Sequence, residues 1–286
     1  MNRVRGTALV ALLAAILASV GGSAAAMGVG VGGGAFTLDP TAAVARAPAA
    51  VAAAVAAFEA GLIATGVPPL VVSDLVAELD AVADAVGDAT DELLTGPQAP
   101  LLGLVPVPVV GVEAELDLPL VVVDTVRFAV SWMTESTIIA AVGLAGVDVP
   151  PLPYTVAEDG ISVRVDPTLT TLWLMTEATK RLDLVVLGVE LGVGVDAVFG
   201  SLRPGIEVTV SEFQEVVDDA VAALHLDGLG WSILAMHGTI GLEIGPPFLR
   251  AYLRGLGMLP VVGRQDPWWP ITLGHLALKA GVVIRF

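Results

Sequence analysis

The last eleven residues of the chain alternate between two kinds of side chain. From Leu276 to Phe286 the even positions are apolar, whereas the odd positions include Lys279 and Arg285. A repeat of two residues places successive side chains on opposite faces of an extended strand. The segment therefore predicts a strand that has an apolar environment on one side and a polar environment on the other.

The same alternation recurs upstream. The pattern predicts eight strands, at about residues 27–38, 107–118, 121–133, 161–178, 184–199, 230–244, 248–259 and 271–286. Long and short connections alternate between them, which is typical of an up-and-down barrel with its tight turns at one end. Two assignments stay open: Met27–Leu38 could fall outside the barrel, and Thr168–Leu182 could be a helix that begins at Pro167.

The chain is very apolar, yet beyond its N-terminal segment no stretch is suited to cross a bilayer as a helix. Hydrophobic residues make up 55% of the 286 residues, and the mean hydropathy is +0.84. A spanning helix needs about 20 consecutive apolar residues. The best candidate, Ala42–Thr65, contains Arg46, Pro48 and Glu59. Because only helices and closed barrels satisfy the whole backbone in lipid, the sequence favours a barrel.

Residues 1–26 have the features of a secretory signal peptide. Arg3 and Arg5 precede the apolar run Ala8–Val20, and the small residues Ser23–Ala26 follow it. This order of a positive, an apolar and a small-residue region predicts cleavage just before Met27. We therefore expect an exported protein whose mature part is residues 27–286.

The terminal strand, which ends on Phe286, resembles the last strand of bacterial outer-membrane β-barrel proteins. The resemblance covers the last dozen residues and the general strand pattern, and it points to no narrower family. It implies a mainly β fold, a small transmembrane antiparallel up-and-down β-barrel of about 8 strands in the outer membrane. It also implies two partners, outer-membrane lipid and the barrel-assembly machinery, which would read Phe286 as part of its signal.

An α-helical insertion is predicted near the N-terminus of the barrel, at about residues 41–96. Thr41–Ala64 and Val71–Leu94 are rich in alanine, and acidic residues give the second segment a polar face. Another helix is predicted over Ser211–Leu224, with Ser211 as its cap. The first insertion is too long for a plain loop, so it should have packing of its own.

Strand parity predicts that many charged side chains point into the barrel. This predicted lumen set comprises Glu113, Glu115, Arg127, Glu190, Asp196, Glu243, Arg250, Arg254, Lys279 and Arg285, with Asp117 beside them. An eight-stranded barrel is just wide enough for side chains to fill it, and buried charges need partners. We therefore expect an ion-pair network that plugs the lumen, in preference to an open polar pathway. His237 and His275 are expected to face the same space.

Composition excludes several classes of function. The formal net charge of −17 argues against nucleic-acid binding, because phosphate contacts need Lys and Arg. With no cysteine, disulfides and thiol chemistry are excluded. Ser232, His237 and Glu243 are too far apart along one strand to form a catalytic triad. No His or carboxylate cluster has the spacing of a metal site. We expect no enzyme, cofactor or metal.

The sequence therefore predicts an outer-membrane protein with a structural or interaction role and a plugged lumen. Two alternatives stay open. The first is transport or binding of a small hydrophobic ligand in a pocket that Val105–Val110 would help to line. The second is a soluble periplasmic α+β protein whose helices shield the same strands. Aromatic girdles at the two membrane interfaces would include Trp132, Trp231, Trp268 and Trp269 at the outer end, and Phe248 and Phe286 at the other.

Overall fold

The structure is a computed structural model of the chain. It describes residues 27–97, 105–118, 122–133, 154–158, 161–165, 168–184, 186–203, 206–210, 214–223, 229–264 and 272–286. The predicted signal peptide, residues 1–26, lies outside the described residues, as do Trp268 and Trp269.

The described ranges contain eleven strands and four helices. In chain order they are β1 (Met27–Asp39), α1 (Thr41–Val44), α2 (Ala47–Ala64), α3 (Pro69–Thr95), β2 (Val105–Asp117), β3 (Thr125–Trp132), β4 (Tyr154–Glu158), β5 (Ile161–Val165), β6 (Thr168–Leu184), β7 (Leu187–Arg203), β8 (Ile206–Val210), α4 (Gln214–Ala223), β9 (Leu229–Ile244), β10 (Leu249–Arg264) and β11 (Thr272–Arg285).

Eight of these strands form a closed barrel in the order β1-β11-β10-β9-β7-β6-β3-β2, in which β2 closes on β1. All neighbours are antiparallel. Each strand pairs with the next barrel strand along the chain, and the last pairs with the first. The prediction of a small antiparallel up-and-down barrel with eight strands is confirmed, and Met27–Asp39 is one of them.

The two ends of the barrel differ. At the end that we call the turn end, β6 and β7 are joined by residues 185–186, and β9 and β10 by residues 245–248. Both ends of the described chain also meet there, where the Phe286 N–H donates a 2.8 Å hydrogen bond to the Met27 carbonyl. The long connections, which carry the four helices and strands β4, β5 and β8, leave from the opposite end. The predicted alternation of long and short connections is confirmed.

The predicted strand 161–178 is wrong as drawn. The structure divides it between β5, which pairs with β4 and β8 in a separate three-stranded sheet, and the barrel strand β6. Between them the sequence has Asp166-Pro167, and a proline cannot donate to a strand ladder. The helix considered for Thr168–Leu182 is also wrong, because that segment pairs with β7 over its whole length. Its threonines favour a strand.

The helical insertion is confirmed, and its helices pack together. α2 contacts α3 and α4, and Leu62 of α2 is fully buried with Val72 and Val216. α1 lies at the barrel mouth, where Ala43 joins the apolar core of the barrel. Thr41–Ala64 is long and apolar enough to cross a membrane, yet core helices of soluble proteins pass the same test of length and composition.

Gly61 sets the distance between α2 and α4. A Cβ atom at this position would lie 2.8 Å from Cγ1 of Val216, whereas a Cβ at Gly87 of α3 would have nothing within 4 Å. We expect Gly61→Leu to destabilise the helical insertion by about 1–3 kcal/mol through overpacking. The matched change Gly87→Leu should stabilise α3 by up to about 1 kcal/mol through helix propensity.

Limited proteolysis within residues 41–97 measures both effects. Cleavage should be faster in Gly61→Leu and no faster in Gly87→Leu than in the parent chain. Equal cleavage of the two variants would contradict the close packing of α2 on α4.

Candidate functional site in the barrel interior

The barrel interior consists of two layers. On each of five strands the charged inward side chains lie nearer the turn end, and apolar inward side chains lie nearer the long connections. For example, β2 carries Glu113 and Glu115 in the charged layer and Val107 and Val109 in the apolar layer. The other apolar members include Phe36, Leu38, Trp173, Met175, Val198, Trp231, Ile233, Leu256, Met258 and Leu273. The charged layer is the candidate site.

Arg127 of β3 is one centre of the charged layer, and its side chain is fully buried. Its Nη2 donates to Glu115 at 2.9 Å and to Glu190 at 2.8 Å, and its Nη1 donates to Glu177 at 2.5 Å. The guanidinium therefore binds carboxylates from the neighbouring strands β2 and β6 and from β7 beyond them. Arginine suits this position because its planar group carries five donors and stays charged.

Arg254 of β10 is the second centre. Its Nη1 donates to both oxygens of Glu113, at 3.0 and 2.9 Å, and its Nε donates to Glu190 at 2.7 Å. Its Nη2 reaches Glu115 at 3.2 Å and Glu243 at 3.3 Å. Two carboxylates, Glu115 and Glu190, thus bind both arginines, so the two centres form one network that crosses the lumen.

Arg285 and Arg250 extend this network towards the turn end. Arg285 donates to Glu115 at 2.9 Å and to Glu243 at 2.7 Å. Arg250 lies 3.4 Å from Glu243 and binds Asp183, whose side chain is 46% exposed. The network therefore passes from a dry interior to a solvated rim.

Asp124 lies at that rim, outside the barrel strands. It lies between β2 and β3 and accepts hydrogen bonds from Nζ of Lys180 at 2.7 Å and from the backbone N–H of Arg181 at 3.0 Å. These bonds stabilise the charged carboxylate, so they lower the pKa of Asp124.

A second buried group lies where the charged layer meets the apolar layer. Asp196 accepts a 2.7 Å hydrogen bond from Nε1 of Trp173, and its other oxygen lies 2.6 Å from Nδ1 of His237. Nε2 of His237 lies 3.8 Å from Glu177, which is beyond hydrogen-bond distance. Lys279 is buried near the same place, with Nζ 5.1 Å from the Trp173 ring centre, a cation–π contact.

The structure places all ten residues of the predicted lumen set inside the barrel, and Arg285 is the most exposed of them, with 9% of its side chain accessible. It brings nine of them into hydrogen bonds or ion pairs with other interior side chains. Asp117 lies at the rim and accepts a hydrogen bond from Thr125. The sequence does not single out Glu177, because the segment Thr168–Leu182 is compatible with both a strand and a helix.

Two further expectations are wrong. His275 is exposed, because the pairing of β11 with β1 shifts register between Phe36 and Leu38 and the strict alternation stops there. Trp231 does not belong to an outer girdle. It is buried inside the barrel, where Gly200 leaves room for its indole ring. Trp132 and Phe199 do face outwards near the long connections, and Phe248 and Phe286 are exposed at the turn end.

The carboxylates of Glu115, Glu190 and Glu243 have oxygen atoms within 4.8 Å of one another, as metal ligands would. Arginine nitrogens lie against all three, and Arg254 contacts each of them. A guanidinium therefore occupies the position that a metal ion would need, and the repulsion between cations disfavours metal binding there. Among the described residues this cluster supports an ion-pair network and no metal centre.

Charge in the described interior is nearly balanced. Six carboxylates are buried there, from Glu113, Glu115, Glu177, Glu190, Asp196 and Glu243. They face the five cations Arg127, Arg250, Arg254, Lys279 and Arg285, and His237. Pairing on this scale offsets the cost of removing the charges from water. Among the described residues, the arrangement joins strands from around the barrel through their charged side chains.

Comparison with known proteins adds little. A scan against protein families finds no match, and a search of curated proteins finds none either. Among solved structures, three chains match. One is the crystal structure of Ail, the attachment invasion locus protein of Yersinia pestis, with a TM-score of 0.36 and 6% sequence identity. The alignment covers 92% of this chain and 99% of that chain. At so low a score the assignment of this chain to an eight-stranded barrel rests on its own strand pairing.

Removal of one arginine from the centre of the network should be costly. Arg254→Leu would leave Glu113 without its ion-pair partner and would weaken the pairing of Glu190 and Glu243. We expect a loss of about 3–5 kcal/mol in the free energy of unfolding, as for other buried ion pairs that lose one member.

The control is Lys180→Gln, whose partner Asp124 lies on the solvated rim. Exposed pairs contribute less than about 1 kcal/mol, so this variant should unfold nearly as the parent does. Urea unfolding followed by tryptophan fluorescence measures both. Similar losses in the two variants would show that the interior network does not hold the barrel together.

Proposed function

We propose that this chain is an integral outer-membrane β-barrel protein, exported through a cleaved signal peptide, that has a structural or interaction role and a plugged lumen. A non-catalytic role accords with the interior, where arginines and carboxylates form ion pairs with one another. The observation that carries the proposal is the inverted distribution of polarity across the barrel wall.

Large apolar side chains cover the outside of the barrel. Val31, Val193 and Ile240 are each more than 60% exposed. Lys180, close to the turn end, is the one charged residue at an outward position between the two rims in the strands that the structure describes. A water-soluble protein would bury these apolar residues and expose the charges, whereas a barrel in lipid does the reverse.

The apolar belt has the height of a membrane. On β7 the outward positions are apolar from Leu187 to Phe199, and Ser201 follows. At about 3.3 Å per residue and a tilt of about 40°, this segment rises by about 30 Å. The hydrocarbon core of a bilayer is about 30 Å thick. The length of the belt therefore supports a membrane-spanning barrel.

The two interior layers support a plugged lumen. Arg127, Arg254 and Trp173 each have at most 1% of their surface accessible and project into the middle of the barrel. An eight-stranded barrel has room for such side chains and little else, whereas open channels need many more strands. The protein would therefore present its long connections outside the membrane and carry no solute through it.

Neither alternative gains support. Val107 and Val109 are buried inside the barrel core, so they do not line a pocket between the barrel and the helical insertion. For a soluble protein the helices would have to cover the outer strand faces, but α2 contacts α3 and α4 instead. Phe286 is exposed beside the first strand, in a position that the assembly machinery could bind.

Cell fractionation and a gel with and without boiling test the location. We expect recovery with the outer membrane and a mobility shift on heating. Val193→Arg, in the middle of the belt, should reduce the stability of the inserted barrel by about 2–4 kcal/mol, whereas Leu187→Arg at its edge should cost about 0–1 kcal/mol. Equal tolerance of both variants and recovery in the soluble periplasmic pool would contradict a membrane location.

Planar-bilayer recordings test the plug. The purified barrel should insert without a large, stable conductance, because the described interior is filled with buried side chains. A stable conductance would show that the lumen is open and would overturn this part of the proposal.

A further inference from the structure

Three glycines on the outside of the barrel are not explained by the packing of the barrel itself. A Cβ added to Gly255 or Gly257 would meet nothing within 4 Å, and at Gly238 it would meet one carbonyl oxygen at 4.0 Å. The inward glycines differ, since a Cβ at Gly32 or Gly281 would lie within 2.5 Å of Oη of Tyr252. Internal glycines make room for neighbours, but these three leave space on the outer face.

The space is a walled groove of about 770 Å³. Gly238, Gly255 and Gly257 form its floor, Leu191 and Ile240 stand on one side, and Leu276 and Leu278 stand on the other. Each of these four side chains is more than 50% exposed. We call this feature the glycine groove. It lies in the middle of the apolar belt, so only membrane components can reach it if the proposed location is correct.

The three glycines of the glycine groove lower the stability of the barrel. Glycine inside a strand lowers stability, because it gains no side-chain contacts and loses more conformational entropy than other residues. Fluid acyl chains adapt to any apolar surface and do not need a flat floor. Small residues in a membrane interface, in contrast, let two protein backbones approach closely. The groove therefore fits a rigid protein neighbour.

The leucines of the β11 wall would fit onto a glycine floor like the one beside them. Leu278 is the direct cross-strand partner of Gly255, and Leu276 is the partner of Gly257. Paired strands lie about 4.8 Å apart, so at a tilt of about 40° each leucine differs in height from its glycine by about 3 Å. The protruding leucines and the recessed glycines therefore lie side by side, at nearly the same depth in the proposed membrane.

We propose that two copies of this chain pair side by side in the membrane through the glycine groove. A twofold axis along the membrane normal, placed between β10 and β11, brings the leucine ridge of each copy onto the glycine floor of the other. Such an interface is self-complementary, as twofold pairing requires. The inference rests on the proposed membrane location.

The chain has no cysteine, so single substitutions give a clean cross-linking test. Gly255→Cys and Leu278→Cys are placed in two differently tagged copies that are expressed together. Membranes are treated with a short thiol-specific cross-linker, and the product that carries both tags is measured. The control pair is Phe128→Cys and Thr176→Cys, exposed cross-strand partners on the opposite wall of the barrel.

A blocked groove provides the second test. Gly257→Leu fills the floor without a clash inside the barrel, and Ala251→Leu adds the same side chain at an exposed position of the same strand. We expect cross-linking at the groove pair alone, its loss in Gly257→Leu, and its retention in Ala251→Leu. The heat-dependent gel shift is read in the same samples and should persist in all variants.

Three results would overturn the inference: no cross-link at the groove pair, equal cross-linking at both pairs, or a cross-link that survives Gly257→Leu. With the gel shift intact, any of these would mean that lipid chains fill the groove and that the barrel location stands. Loss of the shift together with soluble recovery of the parent chain would instead refute the proposed function.

Discussion

Two arginines in the middle of the lumen hold the charged layer together, and other features of the barrel depend on them. Arg127 and Arg254 bind carboxylates from β2, β6, β7 and β9. Arg285 links β11 to the same network through Glu115. Some of these ion pairs, such as Arg127 with Glu190 and Arg254 with Glu113, join strands that are not neighbours in the barrel, so the network opposes separation of the strands. Together with the hydrogen bonds between neighbouring strands, this pairing across the lumen joins the strands of the barrel.

The first strand contributes to this network by leaving space. β1 has no charged side chain in the lumen, but a Cβ at Gly30 would lie 2.7 Å from Glu113, and one at Gly28 would lie 3.2 Å from Arg285. The glycine-rich strand β1 thus accommodates the long side chains that project from its two neighbouring strands, β2 and β11. The apolar layer has the complementary role near the helices, where Phe36 packs edge-on against Trp173 with ring centres 5.5 Å apart.

The inward position of the charges was predictable because alternation along a strand depends on local sequence alone. Their partners were not predictable, since the contact of Arg127 with Glu190 depends on strand register and on the tilt of the barrel. Local departures from alternation were also invisible, as the exposure of His275 shows. The small sheet of β4, β5 and β8 joins segments from two separate connections, and no short-range pattern indicates such pairing.

The closure of β1 on β11 has a consequence for the order of folding. The ladder joins Gly28 to Arg285, so the first and last residues of the barrel must meet before the wall is continuous. Until the C-terminal strand arrives, β1 and β10 both present open edges, which are prone to pair with other chains. Contacts of such long sequence separation form slowly. The wall therefore closes only after β11 has been synthesised, and until then its open edges are exposed to pairing with other chains.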